Sequence, residues 1–538
     1  MSWGHATSKD LLTWNHQTIT KPALAPDMSY DKEGVFTGCF TPSGPLGEKG
    51  QMTLFYTSVC HLPLHWSIPY VRGCEGLSAA VSRDGGKTWD KVDSNPILPD
   101  EPKGINVTGW RDPYFAPWKA LDTLRGKKEQ SLYGAIAGGI HDDGPAIFLY
   151  AAPPNDLLKW EYLGIFLKVP GQLRHSPKWS ADLGVNWECS NFMTLPDLET
   201  KTTAKDFIVC GSEGGKERPW VTSYREAHPK VPVRTVNYCF WLCGATVKGE
   251  DDSVSFRIDY SGFMDHGCFY AASTFQDPVS DRRIVWGWIK EEDLPIEYSK
   301  RKGWTGCLSL PRELFLQRIP RVVKALQSSL TEITSITAVE NAPEEGVYDV
   351  ETLGIRPLTD LTALRQGSPL VLNGISLPKS SGTTHSTSVS AARWELEATI
   401  DVLQGCTSVG LHIRHTADMS SITTISFSPA EEEITVDRTK SSRSADVNRS
   451  TERGPMTLFS TKSGHDIVQE QLKLHVFSDG NTIEIFANDR FAMATVIYTT
   501  DPTALDLTLF AEGSEDSALF RDVSVWADLK PVLGSQKD

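Results

Sequence analysis

The chain has 538 residues, of which 40% are hydrophobic and 22% charged, as is typical of a folded globular protein. This length predicts two domains rather than a single core. Its 53 basic and 68 acidic residues give a net charge of −15. We therefore expect neither nucleic acid nor membrane as a partner, because nucleic acids and anionic membranes both bind concentrated Lys and Arg. No apolar run approaches the roughly 20 residues that a membrane helix requires.

The N-terminus lacks the basic and then apolar stretch of a signal peptide. The compartment therefore stays open: cytoplasmic for the chain as written, and secreted or vacuolar if a further segment precedes it. The ten cysteines are scattered without CxxC pairs. We therefore expect no metal cage and no cofactor.

A turn motif recurs in the first half of the chain, in which Asp is followed within five residues by Trp. It occurs at Asp10, Asp84 and Asp156, about 70 residues apart. In each copy we expect the carboxylate to accept hydrogen bonds from turn amides and the Trp to pack between sheets. A turn that repeats at a fixed interval among short strands is typical of a β-propeller.

Short segments rich in β-branched and aromatic residues predict strands throughout the first half. They lie at residues 52–57, 77–82, 147–151, 207–211, 238–244, 255–258 and 283–288. Helical spacing is nearly absent until residues 321–336, which predict a short helical connector.

The second half begins with a Ser- and Thr-rich stretch, residues 379–390, that we predict to be a loop. Alternating segments then predict an antiparallel β-sandwich. They lie at residues 394–403, 408–415, 422–428, 473–477, 482–487, 492–498 and 505–511. The predicted domains are a propeller at 1–322, a linker at 323–365 and a sandwich at 366–538.

Three islands carry a resemblance to a known family: Trp3-Gly4-His5, Trp110-Arg111-Asp112-Pro113 and Trp187-Glu188-Cys189. Further matching segments lie at residues 269–275, 282–288, 311–314 and 476–488. Through their number and order the chain resembles glycoside hydrolase family 32, the invertases, inulinases and related fructosyltransferases. The resemblance implies an all-β fold, a five-bladed β-propeller with an incomplete first blade followed by a β-sandwich. It places the active site in the axial funnel of the propeller.

The resemblance also implies catalytic roles. Glu188 matches the general acid/base and Asp112 the transition-state stabiliser. A retaining glycosidase needs one carboxylic acid and one carboxylate about 5 Å apart. We expect Arg111 to keep Asp112 ionised by pairing with it and to donate hydrogen bonds to sugar oxygens.

Further residues are expected to bind the substrate. Phe36 and Thr37 match a Phe-Ser pair that lines the sugar subsite in relatives. Trp3 and Trp304 are expected to form apolar walls for the sugar, with ordinary core packing as an equal alternative. Asp265 is also assigned to substrate binding, and no metal is expected in the site.

Relatives carry an Asn-Asp-Pro block upstream of the Trp-Gly-His motif, and its aspartate is the nucleophile. This chain begins two residues before Trp3 and contains no Asn-Asp-Pro sequence. Two explanations are open: an incomplete sequence of an active enzyme, or a short form without the innermost strand of its first blade. We favour the first, because the second leaves an unpaired strand edge, which promotes aggregation.

The leading functional hypothesis is a retaining β-fructofuranosidase that acts on sucrose or inulin-type fructans. The alternatives are a non-catalytic fructan-binding protein, a fructosyltransferase and a related five-bladed hydrolase of arabinose-containing chains. The expected partner is a small-molecule sugar or a fructan, and a homodimer is left open.

Overall fold

The computed structural model describes residues 1–16, 21–128, 130–198, 200–201, 203–250, 252–341, 344–380, 382–527 and 529–530. β-Strands dominate this part of the chain. Its helices are short: α1 (Lys119–Leu124), α2 (Pro219–Ala227), α3 (Ile296–Lys302) and a 3-10 helix (Thr359–Leu364). Among the described residues no helix has the length and apolar character needed to cross a membrane.

The first half forms a series of small antiparallel sheets in chain order. The first sheet pairs two strands, β1 (Ala6–Ser8) and β2 (Trp14–His16). The second contains β3 (Gly34–Thr41), β4 (Met52–Val59), β5 (Glu75–Ser82) and β6 (Asp90–Lys91). The third contains β7 (Val107–Pro117), β8 (Leu132–Ile140), β9 (Gly144–Ala152) and β10 (Glu161–Lys168). The fourth contains β11 (Asn186–Pro196), β12 (Ala204–Glu213), β13 (Asn237–Lys248) and β14 (Val254–Phe263).

A fifth sheet is larger and reaches toward the second half of the chain. Its strands are β15 (Phe269–Gln276), β16 (Arg283–Ile289), β17 (Cys307–Leu308), β18 (Arg312–Ala325), β19 (Thr337–Glu340) and β20 (Tyr348–Pro357). The segment 323–365 is thus not a free linker, because β19 and β20 lie within it and pair into this sheet.

The remaining strands build two six-stranded sheets and an addition to the fifth sheet. They are β21 (Leu370–Leu377), β22 (Thr384–Ser390), β23 (Arg393–Val402), β24 (Cys406–His415), β25 (Ile422–Ser428), β26 (Glu433–Lys440), β27 (Glu452–Pro455), β28 (Phe459–Ser463), β29 (Asp466–Gln469), β30 (Leu472–Asp479), β31 (Thr482–Ala487), β32 (Phe491–Val496), β33 (Asp506–Gly513) and β34 (Ala518–Ala527). One sheet has the order β21-β34-β23-β30-β31-β32 and the other β22-β33-β24-β25-β26-β27. β28 and β29 join the fifth sheet through β18.

Two predictions of local structure are wrong. The predicted helix at 321–336 begins inside β18, where Val322 is fully buried and pairs with both β20 and β28. The predicted loop at 379–390 contains β22, which pairs with β33; residue 381 lies outside the described residues. In both places, pairing with distant strands overrides the local pattern.

The strand predictions are confirmed, and so are the predicted carboxylate hydrogen bonds of the turn motif at Asp10 and Asp84. Asp10 accepts hydrogen bonds from the amides of Leu12 and Thr13 at 3.0 and 2.7 Å, and Asp84 accepts one from Thr88 at 2.9 Å. The Trp that follows Asp156 packs between sheets as expected. Its ring lies 5.3 Å from Phe55 in the second sheet and 4.7 Å from Phe115 in the third.

Hydrophobic layers join the sheets in sequence. One core lies between the second and third sheets, another between the third and fourth, and the largest fills the space between the two six-stranded sheets. A further core is shared by the fourth and fifth sheets and the strands β30 to β32. Burial of this apolar surface fixes how the two halves of the chain are joined.

The junction between the halves also contains a buried ionic bridge. Arg312 on β18 is fully buried, and its guanidinium donates to Asp265 at 2.9 Å and to Glu484 on β31 at 2.8 Å. The other oxygen of Asp265 accepts from the amides of Gly267 and Ala494 at 2.8 and 3.1 Å. Burial raises the pKa of both carboxyls, and Arg312 opposes this shift.

Arg312→Met should therefore strongly destabilise the protein. The substitution keeps most of the apolar volume but leaves two buried carboxyls without their cation, which costs about 3–5 kcal/mol. Urea unfolding followed by tryptophan fluorescence measures the loss. The matched control is Arg83→Met, because Arg83 is 60% exposed and pairs with an exposed Asp90; its effect should stay below about 1 kcal/mol. Equal effects of the two substitutions would contradict the bridging role.

Candidate active site

Four strands share an irregularity that positions the site. The first strands of the second to fifth sheets, β3, β7, β11 and β15, each break register with their neighbour at two residues. These are residues 36–37, 112–113, 189–190 and 271–272. Asp112, Cys189 and Ala271 adopt positive φ angles of 62°, 51° and 52°, a conformation that is uncommon for non-glycine residues. Such bulges bend a strand and redirect its side chains, often beside an active site.

The buried guanidinium of Arg111 on β7 is the centre of the site. It forms ion pairs with Glu213 at 2.7 Å, Glu188 at 3.0 Å and Glu75 at 3.2 Å. These acids lie on three other strands, β12, β11 and β5. Burial opposes the charge on Arg111, but the three carboxylates hold its pKa well above the ordinary value.

Glu188 is held at both carboxylate oxygens. Oε1 accepts from Arg111 Nε at 3.0 Å, and Oε2 accepts from the hydroxyl of Tyr270 at 2.8 Å. Burial, followed by the charge of Glu188, raises the pKa of Tyr270 well above its usual range, so the phenol remains a donor. The Glu188 side chain keeps 20% exposure. It is thus oriented by two fixed donors and still accessible from outside.

Asp112 lies beside Glu188 in a more enclosed position. Its amide donates to Thr57 Oγ1 at 2.8 Å, and its Oδ2 accepts from the amide of Cys189 at 3.1 Å. Burial, and then the negative charge of Glu188, raise the pKa of Asp112 to about 7.

The predicted ion pair between Arg111 and Asp112 is wrong. The three ion pairs of Arg111 are all with glutamates. The charge of Arg111 does lower the pKa of Asp112, but burial and the charge of Glu188 raise this pKa by more. The physical reason is that Nε, Nη1 and Nη2 of Arg111 each donate to a glutamate, while Asp112 Oδ2 accepts from the amide of Cys189.

Glu213 completes the acidic cluster, which we define as Glu75, Asp112, Glu188 and Glu213. Its Oε2 accepts from Arg111 and from the Asn186 side chain at 2.8 Å. Burial, and then Glu188, raise the pKa of Glu213 to about 7. A cluster of four carboxyls around one guanidinium therefore binds protons near neutral pH.

The predicted pocket residues of the N-terminal part lie beside Asp112. The irregularity at Phe36 and Thr37 lies opposite Thr57, because the flanking pairs are Val35 with Ser58 and Gly38 with Tyr56. The indole of Trp3 donates to the carbonyl of Phe36 at 3.0 Å. The structure thus brings Trp3, Phe36 and Thr37 together, and their contact with a sugar stays a prediction.

Two other predicted site residues are not part of this cluster. Asp265 is 4% exposed, and both of its oxygens are used in the bridge to Arg312 and to backbone amides. It joins the halves of the chain instead of facing a substrate. Trp304 lies on the surface after α3, 56% exposed, with the Lys302 ammonium 3.8 Å from its ring centre.

Three residues of the site were not predicted from the sequence: Glu75, Glu213 and Tyr270. Glu75 begins β5 and Glu213 ends β12, so each stands at a strand end next to a glycine. Tyr270 lies within one of the segments that carry the family resemblance. An acid at a strand end next to glycine is a weak signal, because surface turns have the same composition.

One further group of residues could hold a metal ion, and it lies on the sandwich. Oxygen atoms of Glu395 and Glu397 and a ring nitrogen of His475 lie within 4.8 Å of one another. Arg365 already forms ion pairs with both carboxylates. The guanidinium therefore supplies the positive charge that a metal ion would bring.

Asp112 and Glu188 form a pair of neighbouring carboxyls on the first strands of the third and fourth sheets. Most glycoside hydrolases use such a pair. Residues 1–327 match the glycosyl hydrolases family 32 N-terminal domain, and residues 360–527 match the family 32 C-terminal domain. The chain therefore belongs to glycosyl hydrolase family 32.

Solved structures share the whole fold. A β-fructofuranosidase of Aspergillus kawachii is 30% identical with a TM-score of 0.86, covering 99% of this chain and 89% of that one. A fructosyltransferase of A. japonicus is 27% identical with a TM-score of 0.87, covering 99% and 90%. An insoluble β-fructofuranosidase isoenzyme of Arabidopsis thaliana is 28% identical over 327 residues, 59% of this chain and 47% of that protein. The chain spans about half the length of the curated relatives it matches.

Glu188→Gln should lower the pKa of Asp112 from about 7, because it removes the negative charge that raises this pKa most after burial. We expect a decrease of roughly 1–2 pH units. Carbon-13 NMR titration of Asp-labelled protein measures it. Glu161→Gln is the control, since Glu161 is an exposed residue of β10. An unchanged titration in Glu188→Gln would show that the two carboxyls are not coupled.

Glu213→Gln should stabilise the protein at high pH only. The pKa of Glu213 rises from 4.5 to about 7 on folding, so its ionised form destabilises the fold above pH 7 and this cost disappears below about pH 4.5. The free energy of unfolding of the variant minus that of the natural chain should be larger at pH 8 than at pH 4.5, by on the order of 2–3 kcal/mol. Urea unfolding at both pH values tests this. A gain of equal size at pH 4.5 would rule out titration of Glu213 as the cause.

Proposed function

We propose that this protein releases fructose from sucrose or inulin-type fructans with retention of configuration. The observation that carries the proposal is Glu188, fixed by Arg111 and Tyr270 beside the buried Asp112. The similar proteins named β-fructofuranosidase and fructan exohydrolase support this choice of substrate.

In this proposal Glu188 protonates the leaving oxygen while the fructosyl group passes to a nucleophilic carboxylate, which in relatives belongs to the Asn-Asp-Pro block. Water then cleaves the fructosyl ester, and Glu188 takes a proton from that water. Three observations support the assignment. It is the most exposed acid of the cluster, with 20% exposure against 16% for Glu213 and none for Glu75. Both of its oxygens are oriented by fixed donors, and its strand bulges at the next residue.

Asp112 stabilises the positive charge that develops on the fructosyl ring, and for this it must be ionised. The reaction requires a neutral acid at Glu188 and a carboxylate at Asp112. When Glu188 carries the proton that it will donate, its negative charge no longer raises the pKa of Asp112, so ionisation of Asp112 becomes easier.

The architecture of the pocket follows from the same proposal. The two-stranded sheet and the four larger sheets form a five-bladed propeller, and the first strands of the blades line its axis. Trp3, Phe36 and Thr37 line the fructosyl side of the pocket. Arg111 acts mainly by holding the glutamates, because Nε, Nη1 and Nη2 each already donate to one of them.

Two other functions would use the same site: the binding of fructans without cleavage, and the transfer of fructose to a second sugar. The likeness to the A. japonicus fructosyltransferase favours transfer of fructose to a second sugar. Both functions use the same acidic cluster, so they differ in the fate of the fructosyl group and not in the site.

Glu188→Gln should reduce kcat for fructose release from sucrose and 1-kestose by roughly 10²–10⁴-fold, as loss of a general acid/base does. The exposed Glu161→Gln is the control and should keep full activity. Carbon-13 NMR of the first product should show β-fructofuranose before mutarotation. Chromatography at high sucrose separates hydrolysis from transfer, because transfer produces trisaccharide.

If the natural chain releases no fructose, calorimetric titration with 1-kestose measures whether it still binds a fructan. Binding without release would support the fructan-binding function and reject the hydrolase. Failure of both release and binding would reject both functions. An undiminished rate in Glu188→Gln would remove Glu188 from its catalytic role.

A further inference from the structure

A cavity of about 90 Å³ lies where the fourth sheet meets the sandwich. Its walls come from the loop before α2, from α2 itself, from the start of β13 and from β27. Residues of the acidic cluster do not line it. The cavity is therefore a second concave site, separate from the one assigned to fructose release.

The cavity contains a buried cation without a counter-ion. Arg218 is 8% exposed, and no carboxylate of the described residues lies within 4 Å of its guanidinium. Its hydrogen bond goes to the carbonyl of Arg453 at 2.9 Å. The rings of Phe263, Trp220 and Tyr238 surround it at 4.5, 5.1 and 5.8 Å. Because a guanidinium stays charged in proteins, cation–π contacts offset only part of the cost of burying it.

Other buried polar atoms in the cavity wall also have no hydrogen-bond partner. Nε of Arg234 and Nε of Arg453 are donors without an acceptor, and Glu217 Oε1 and Asp293 Oδ1 are acceptors without a donor. Buried polar groups are nearly always satisfied by protein, water or ligand. The wall therefore offers both donors and acceptors to a molecule that enters.

The acids of the wall do not neutralise Arg218, because each is already paired with another arginine. Asp293 is bonded by Arg234 and by Arg438, the latter at 2.9 Å, and Glu217 lies 2.7 Å from Arg225. The charge of Arg218 is thus left for a ligand.

We propose that this cavity binds a small hydroxylated anion. Its anionic group pairs with Arg218, its hydroxyl groups bond the free oxygens of Glu217 and Asp293, and its carbon skeleton packs on Trp220. A carboxylate or a phosphate suits the planar fork of a guanidinium. Sugar acids and sugar phosphates are two sources of this chemistry, and the site is independent of fructose release.

Isothermal titration of the full chain with gluconate, fructose 6-phosphate, inorganic phosphate and fructose tests the proposal. We expect saturable binding of the first two, weaker binding of phosphate and none of fructose. Arg218→Met should lower the affinity for gluconate and for fructose 6-phosphate at least tenfold, because it removes the charge and keeps the apolar contacts. Arg218→Lys should restore part of the affinity. The control is Arg257→Met, since Arg257 on β14 is 62% exposed and outside the cavity.

A second variant keeps the test decisive if Arg218→Met does not fold. Trp220 is only half-buried. Trp220→Ala should lower the affinity for both hydroxylated anions and leave the affinity for inorganic phosphate nearly unchanged. The proposal is overturned if no anion binds at millimolar concentration, if fructose binds as well as its phosphate, or if Arg218→Met binds like the natural chain. It is also overturned if Glu188→Gln abolishes anion binding, because the anion would then occupy the acidic cluster.

Discussion

The buried guanidinium of Arg111 is the interaction on which the rest of the site depends. It holds one glutamate from the second sheet and two from the fourth, at 2.7 to 3.2 Å, while its own backbone belongs to the third. Buried carboxylates repel one another unless a cation lies between them, and a planar guanidinium with several donors can serve three at once. Packing of the three sheets and assembly of the site therefore depend on each other, because burying the guanidinium without the glutamates, or the glutamates without the guanidinium, is strongly destabilising.

The excess of acids over bases in this cluster explains its chemistry. Three of the four carboxyls pair with the one guanidinium. Burial and repulsion between the acids raise the pKa of Asp112 and Glu213 to about 7. A retaining glycosidase needs one protonated and one ionised carboxyl, and raised pKa values keep a proton within the cluster near neutral pH. The hydrogen bond from Tyr270 and the strand bulges fix which oxygen faces which donor.

The junction between the sheets and the sandwich shows how differently the same residue type is used. Arg312 and Arg438 each form ion pairs there with two acids, so their charges are balanced within the protein. Arg218 is surrounded by aromatic rings and a carbonyl instead, beside open space. A buried pair stabilises a junction only when both members remain, whereas a buried cation next to a cavity favours a ligand of opposite charge.

The sequence by itself was enough to predict the strands and the Asp-to-Trp turns and to identify Asp112 and Glu188 as site residues from the short motifs that contain them. Each of these features depends on residues that are only a few positions apart. Only the tertiary structure showed that β18 continues through Val322 and that Asp265 belongs to Arg312. It also brought Glu75, Glu213 and Tyr270 to Glu188 from strands far apart in the chain. Burial and charge coupling depend on which distant strands meet, and a local pattern of residues does not contain that information.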